Sequence, residues 1–475
     1  MLPDGSVPPS GTQLATGDVT LVGVTSDNYA IYAATSSSML NAVPLAGGMP
    51  TELGTSNVRV IVNGSVVLMW TGGANGRVGQ LSTWTSASGV KMLSTSSYSG
   101  ATAAAVSPDG SRVMYFDGVD TGRTVGNLVV ARTDGSSTTN LASGVALSMS
   151  GCAPALAFGG NTAAAAALCF APPSNDGGAP GDGGAADGAT ADAAAPEAGT
   201  PDAGAVLPAI VQTYSGANWT ATTVATNVQP RVTISPTGTA VVVNSAAGLV
   251  GYPITGGTAI PIDATGVNSM FTSDGSSILF TTTANELKRA TIGSPTVTTL
   301  ATTGFANFRA KSADDKWVLG YITLATGDLS DLYLASATTA GTPTTLSSTV
   351  TAGLFTSDGF TRDSSHALFY TDIANGIAPL HSLALPPAGT PATHSSTVWI
   401  HQAATGSKVA FSDNYSSADN TADIRSVDTA GTAAPTLIVS LADADFFVSG
   451  SKDKVVYVWN YLAGSMAGLW VTAIP

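Results

Sequence analysis

Short apolar runs punctuated by turn residues recur along the chain, and the clearest is Ala104–Phe116, AAVSPDGSRVMYF. An apolar run leads into Ser107-Pro108-Asp109-Gly110, and a second run alternates around Val113, Tyr115 and Phe116. Proline presets φ for the second position of a type I turn, and glycine accepts the left-handed conformation after it, so this tetrapeptide predicts a hairpin. Thr272-Ser273-Asp274-Gly275, Thr356-Ser357-Asp358-Gly359 and Ser235-Pro236-Thr237-Gly238 are variants, and weaker copies lie near Asn28, Gly64, Asn161, Asp315, Gly406 and Asp453. Once a linker is discounted, the turns recur at roughly 36–51 residues, and repeats of about 40–50 residues with four strands each belong to propeller blades.

Each turn precedes an apolar segment that reads as the second strand of its unit, among them Val66–Trp70, Arg112–Phe116, Ala163–Phe170, Ser277–Phe280, Trp317–Tyr321, Ala367–Tyr370 and Val455–Trp459. Third strands such as Leu128–Arg132 and Leu469–Ala473 follow a variable loop, and fourth strands such as Thr138–Leu141 are short and Thr-rich. Apolar inner strands and more polar outer ones match a blade buried on both faces near the axis. The pattern predicts an all-β chain folded as a single closed β-propeller of about ten four-stranded blades, within a range of seven to ten. The last unit, Asp443–Pro475, has room for three strands. Thr12–Ala15 is expected to supply the fourth, closing the ring and hiding both edges. Residues 1–10 then form a tail and 11–475 the propeller.

Ala171–Ala205 contains only Ala, Gly, Pro, Ser, Thr, Asn, Asp and Glu. Such a segment cannot seed a core and is expected to remain a disordered, charged insertion between the second and third strands of the fourth blade.

Val106-Ser107-Pro108-Asp109-Gly110-Ser111 through Tyr115-Phe116, with Phe271–Phe280 and Leu354–Gly359, resembles the WD40-like propeller repeats of the TolB type. The Trp-Asp and Gly-His dipeptides of eukaryotic WD40 repeats are missing. The resemblance implies an extracytoplasmic bacterial propeller that binds proteins or ligands, and the Ala/Gly/Asp/Pro tract looks like those of secreted bacterial lipoproteins.

Charge narrows the partners. Seventeen basic residues face 31 acidic ones, for a net −14. Six carboxylates fall in the tract, so the remainder carries −14 + 6 = −8. Nucleic acid is not expected, because phosphate binding needs a basic stripe. No apolar run is long enough for a membrane-spanning helix. Met1–Gly11 lacks the basic and apolar regions of a signal peptide. Either the chain is cytosolic or an export signal has been removed. The low charged fraction of 10%, the Thr/Ser-rich composition and the tract favour an extracytoplasmic place. With the resemblance, the expectation is the periplasm, or the outer membrane or cell surface through a removed N-terminal segment. A monomer is expected.

Catalytic motifs fail. There is no His-Glu-x-x-His, no Gly-x-Ser-x-Gly and no Gly-x-x-x-x-Gly-Lys. The four histidines, His366, His381, His394 and His401, fall on successive strands of one unit and the next. That spread lacks the short fixed spacings of zinc ligands, so no metal site is assigned to them. Cys152 and Cys169 bracket the first hairpin of the fourth unit and are expected to form a disulfide there, the alternative being two buried thiols.

In a four-stranded meander the first-to-second and third-to-fourth turns share one rim, and the second-to-third loops share the other with the blade crossings. That loop rim would hold Arg77, Asp117, Asp120, Arg123, Asp328, Asp331, Asp372, Asp413, Asp419 and Asp423. These are the candidate binding residues, and calcium is the cation such carboxylates would take, although Asp is also an ordinary loop residue. Trp70, Trp459 and Tyr461 at strand ends are candidates for a carbohydrate or peptide platform, with core packing as the alternative. The expected function is a non-catalytic scaffold without cofactor, binding an envelope protein or glycan. The alternative is a propeller lyase or glycoside hydrolase, which needs two carboxylates converging on one pocket.

Overall fold

The computed structural model describes residues 7–170 and 209–475, apart from 56, 73–76, 101–103, 121–123, 148–152, 230, 295, 324–328, 352–357, 373–375 and 461–465. Every regular element among these is a strand, and the strands assort into ten antiparallel sheets in simple up-and-down order. The first strands of successive blades neighbour one another, and blade 10 packs its first strand, Phe446–Val448, on that of blade 1, Val19–Val24. The fold is a ten-bladed β-propeller.

Closure follows the expected route. Thr12–Thr16 pairs antiparallel with Gly468–Ala473, becoming the fourth strand of blade 10. The residues before it are held as well. Ser440 N–H donates to the Val7 carbonyl at 3.0 Å, Val7 N–H donates to Ser440 Oγ at 3.3 Å, and the Tyr457 hydroxyl reaches the Ser10 carbonyl at 3.4 Å.

The period of two decides how blades stack. In blade 2, Val66, Leu68 and Trp70 of one strand pack toward blade 3, while Val67 and Met69 pack toward blade 1. The second strand of blade 4 shows the limit of this design, for Ala163–Leu168 is AAAAAL and wholly buried. Ala164, Ala166 and Leu168 meet Met114, Phe116, Tyr214 and Trp219 on one side, and Ala163, Ala165 and Ala167 meet Val241 and Val243 on the other. Large neighbours compensate for the small strand, since a close-packed interior fixes volume rather than residue type. Cys169, next along this strand, is buried and disulfide-bonded; Cys152 lies outside the described residues. The tract expected at 171–205 also lies outside them, between the second and third strands of blade 4, Ala163–Leu168 and Ala209–Ser215.

One sequence expectation is corrected. The turn of blade 8 is not Thr356–Gly359. Asp358 and Gly359 precede Phe360, which bridges to Ala367, and the turn is Thr361-Arg362-Asp363-Ser364. The reason is visible in the other turns. Ser107 Oγ accepts the Arg112 N–H at 2.9 Å and donates to Asp109 at 2.7 Å. Thr272 does the same with Ser277 and Asp274, Ser312 with Trp317 and Asp314, and Thr361 with His366 and Asp363. In these four turns the hydroxyl lies five residues before the start of the second strand, the place of Thr361 relative to His366 and not of Thr356. Ser364, at φ +59, takes the left-handed place that Gly110 holds in blade 3.

Candidate functional site

The two rims of the ring differ in how much of their hydrogen bonding is already used. On the turn rim, the residue after the third strand ties back to the first turn of its own blade in every blade but the second, from Leu45 N–H to Asn28 in blade 1 through Ile292 to Ser276 in blade 6 to Ile474 to Asp453 in blade 10. Neighbouring first turns are bonded in series as well. Ser26 N–H donates to Gly64 at 2.9 Å, Ser273 N–H to Asp315 at 2.7 Å, Asp314 N–H to Ser364 Oγ at 3.2 Å, and Thr405 N–H to Lys452 at 2.8 Å. Ser451 N–H to Asn28 Oδ1, at 3.1 Å, carries the series across the closure. The aspartates of these turns are consumed in the same way. Hydrogen bonds from Thr272 and Ser276 hold the Asp274 carboxyl down to about 2. The turn rim keeps an apolar groove of about 220 Å³ between blades 5 and 6, beside Tyr252, Ile260 and Ile292, and a polar cavity of about 280 Å³ between blades 7 and 8, beside Lys311, Asp358 and Arg362.

The loop rim carries the sequence candidates, dispersed. Arg77 is exposed on blade 2; Asp117 and Asp120 end the second strand of blade 3, with Asp117 accepting the Ser94 hydroxyl of blade 2. Asp331 on blade 7 accepts the Tyr333 hydroxyl at 3.4 Å, and Asp372 on blade 8 is exposed at φ +46. Arg123 and Asp328 lie outside the described residues. Among the described residues, blade 9 alone gathers its candidates. Asp413 and Asp423 face each other across a hairpin and both pair with Arg425, at 3.0 and 3.4 Å. Asp413 also accepts Ser395 and Thr397 hydroxyls from blade 8 at 2.5 and 2.7 Å. These two carboxylates therefore converge on a guanidinium, and Asp413 binds blade 8 to blade 9. Asp419 is exposed at the tip of the same hairpin, beside Ser416.

Trp70 and Trp459 are core residues. Both are buried, with indole N–H groups on Ser97 Oγ and the Ser440 carbonyl, so neither forms a ligand platform. Tyr461 lies outside the described residues.

The histidines hold strands. His381 lies between Thr371 and Thr393 hydroxyls at 2.8 and 3.0 Å, and His394 meets Ser382 at 2.8 Å. His401 is 3% exposed; its Nε2 meets the Asp358 carbonyl at 2.7 Å and its Nδ1 the Tyr370 hydroxyl at 2.6 Å. A carbonyl only accepts, so Nε2 carries the proton and Tyr370 donates to Nδ1. Burial pushes both His394 and His401 down to about 4. Among the described residues no group of three or more His, Cys, Asp or Glu side chains is placed to hold a metal ion.

Two features of the loop rim escape motif reading. The first lies at blades 8 to 10. Trp399 and Tyr415 stack with centroids 4.5 Å apart, and the Trp399 indole N–H points to Asp445 at 3.4 Å. Nearby, burial first, then the charges of Asp18 and Asp445, push Asp443 up to about 6. The signal for this group was its position, at strand ends and blade crossings. The second is a cavity of about 320 Å³ at the mouth of the channel over blades 5 to 7, reaching Arg231, Asn244, Asn268 and Asn307. A further space of about 130 Å³ shares Arg231, Asn244, Val267 and Asn268 and extends along the inner strands Val232–Ile234 and Gly266–Phe271.

No family model matches the chain, and no curated protein matches it. Solved structures resemble it at low identity. The crystal structure of a eukaryotic initiation factor shares 12% identity at a TM-score of 0.48, over 81% of this chain and 90% of that one. The computationally designed Ika8 protein shares 13% at 0.37, over 81% and 99%. The C-terminal WD40 domain of Sif2 shares 10% at 0.39, over 99% of both chains. The propeller assignment rests on the ten sheets and their closure, not on these likenesses.

Proposed function

We propose that the chain is a non-catalytic extracytoplasmic propeller of the TolB-like kind, a monomeric lipoprotein of the cell envelope that binds an envelope protein or a glycan through its loop rim. The observation that carries this reading is the difference between the rims. The first turns spend backbone donors and aspartates in holding the ring and leave a polar cavity of about 280 Å³ between blades 7 and 8, whereas the loop rim has the larger polar cavity, of about 320 Å³, together with exposed Arg77, Asp372 and Asp419. The disulfide at Cys169 supports an oxidising compartment. The test is binding to envelope proteins and a glycan panel by wild type, by Arg77→Glu and Asp419→Lys on the loop rim, and by Lys316→Glu on the turn rim. Loss of the ligand in the first two variants with retention in the third supports the reading; the reverse overturns it.

A second reading, a lyase or glycoside hydrolase, is favoured by one observation. Asp443, held up to about 6 beside Asp18 and Asp445 and near the Trp399–Tyr415 stack, would be poised as a general acid or base near neutral pH. Its test is cleavage of a polysaccharide panel. Turnover that Asp443→Asn abolishes while binding persists supports the enzyme; no turnover on any ligand that binds removes it.

A further inference from the structure

The cavity at the channel mouth combines a cation with a lining that has no carboxylate. Around it stand Gln229, Asn268, Asn307, Thr283 and Arg231, while Thr265 gives its hydroxyl and N–H to the Asp263 carboxylate behind the lining, at 2.6 and 2.7 Å, and Asn244 Nδ2 donates to the Val267 carbonyl. In a chain of net charge −14 this is an unusual composition. Arg132, Arg362 and Arg425 each sit on a carboxylate; Arg231, like Arg77, Arg112 and Arg289, has none within ion-pair distance among the described residues. Its one described side-chain bond runs from NH1 to Asn268 Oδ1, at 3.0 Å. That bond begins a relay that orients the amides. Asn268 Nδ2 donates to Asn307 Oδ1 at 3.1 Å and to the Ala306 carbonyl at 3.0 Å, which leaves the Asn307 NH₂ as a donor. Arg231 is thus anchored by one nitrogen at the rim, with the rest of its fork available to an acceptor.

We infer that this cavity binds a small hydroxylated monocarboxylate, with Arg231 holding the carboxylate and the amides of Gln229 and Asn307 holding the hydroxyls. A guanidinium matches a carboxylate through two parallel N–H bonds, and carboxamides supply both donors and acceptors to alcohols. A space of about 320 Å³ is at the lower end of small-ligand pockets. One cation, without a second base, favours a single negative charge over a phosphate dianion.

The inference rests on the loop rim being the binding rim and narrows what one part of it takes. Isothermal titration of the full chain with gluconate, sorbitol and acetate separates the elements of recognition. Sorbitol has the hydroxyls without the charge, and acetate has the charge without the hydroxyls. Gluconate should bind, and each of the others should be weaker by about tenfold or more. Arg231→Gln should lower gluconate affinity by about tenfold or more, with circular dichroism and melting unchanged because Arg231 is exposed. Arg231→Lys keeps the charge without the fork and should also weaken gluconate; it decides the matter if the Gln variant is unstable. No heat with gluconate, equal affinity for sorbitol or acetate, or full affinity in the folded Arg231 variants would overturn the assignment. If gluconate fails while a loop-rim partner is still captured, only this inference falls. Gluconate binding with no partner captured leaves this site standing and removes the partner-binding reading.

Discussion

Acid should loosen the ring first at blades 7 to 9, and His401 provides the test. Its imidazole is enclosed by Asp358, Tyr370 and Arg309, around a cavity of about 10 Å³. Both ring nitrogens are engaged with the neutral ring's tautomer, and Asp358 Oδ2 accepts the Ala403 N–H at 2.8 Å beside it. Burial is the main cause that holds the ring neutral from its ordinary 6.5 down to about 4. A histidine lowered in the folded state binds its proton first in the unfolded chain. Stability therefore falls as pH drops through 6.5 and levels off below about 4. The full loss is about 3 kcal/mol, and at about pH 4.5 it should reach about 2.5 kcal/mol. The perturbation is His401→Gln, which can donate and accept but does not titrate. Denaturant unfolding at about pH 7.5 and about pH 4.5 should show wild type losing about 2–3 kcal/mol more than the variant between the two conditions. His366, His381 and His394 titrate in both proteins, so the difference isolates His401. Equal losses in the two proteins, or an imidazole that titrates above 6 by NMR, would refute the reasoning.

Gly238 and Gly89 share φ +68 but not their surroundings. An added methyl at Gly238 would overlap the Gly159 carbonyl and come within 2.7 Å of the Ala163 Cβ, whereas nothing lies within 4 Å at Gly89. Gly89→Ala should cost about 1 kcal/mol and Gly238→Ala at least about 2 kcal/mol, measured by thermal unfolding; equal costs would show that the turn contact between blades 4 and 5 is not tight. Lys452 occupies a left-handed position at φ +64 with its ammonium lowered chiefly by burial. Lys452→Gly should stabilise by about 0.5–1 kcal/mol, and a lower melting temperature would contradict this. Removing residues 1–16 strips Gly468–Ala473 of its outer partner. The truncated chain should melt earlier and self-associate through that edge in light scattering, and a monomer with unchanged melting would contradict strand closure.

Much of the fold was legible because its determinants are local. A hydroxyl, an aspartate and a left-handed residue mark the first turns of blades 1, 3, 6, 7 and 8, and strand alternation does the rest. Reading failed where chemistry diverged from that signature. Asn28, Asp315, Ser364 and Lys452 take the left-handed place usually given to glycine, so their turns look weak. Thr356-Ser357-Asp358-Gly359 matches the motif yet is out of phase with its second strand. The site was less legible for a different reason. Asp413 and Asp423 look like free loop carboxylates until Arg425 is seen between them. Conversely, Arg231 meets Asn268 and Asn307 only because three blades converge at the axis, and no spacing along the chain records that meeting.

The central claim is that binding belongs to the loop rim and ring maintenance to the turn rim. Hydrogen–deuterium exchange of the full chain with and without a captured ligand tests it most directly. Ligand-dependent protection should map to loops and crossings such as 244–248, 264–268 and 413–423. The turns at 107–110, 272–275 and 361–364 should already exchange slowly and stay unchanged. Protection confined to those turns, or turns that exchange freely without ligand, would contradict it.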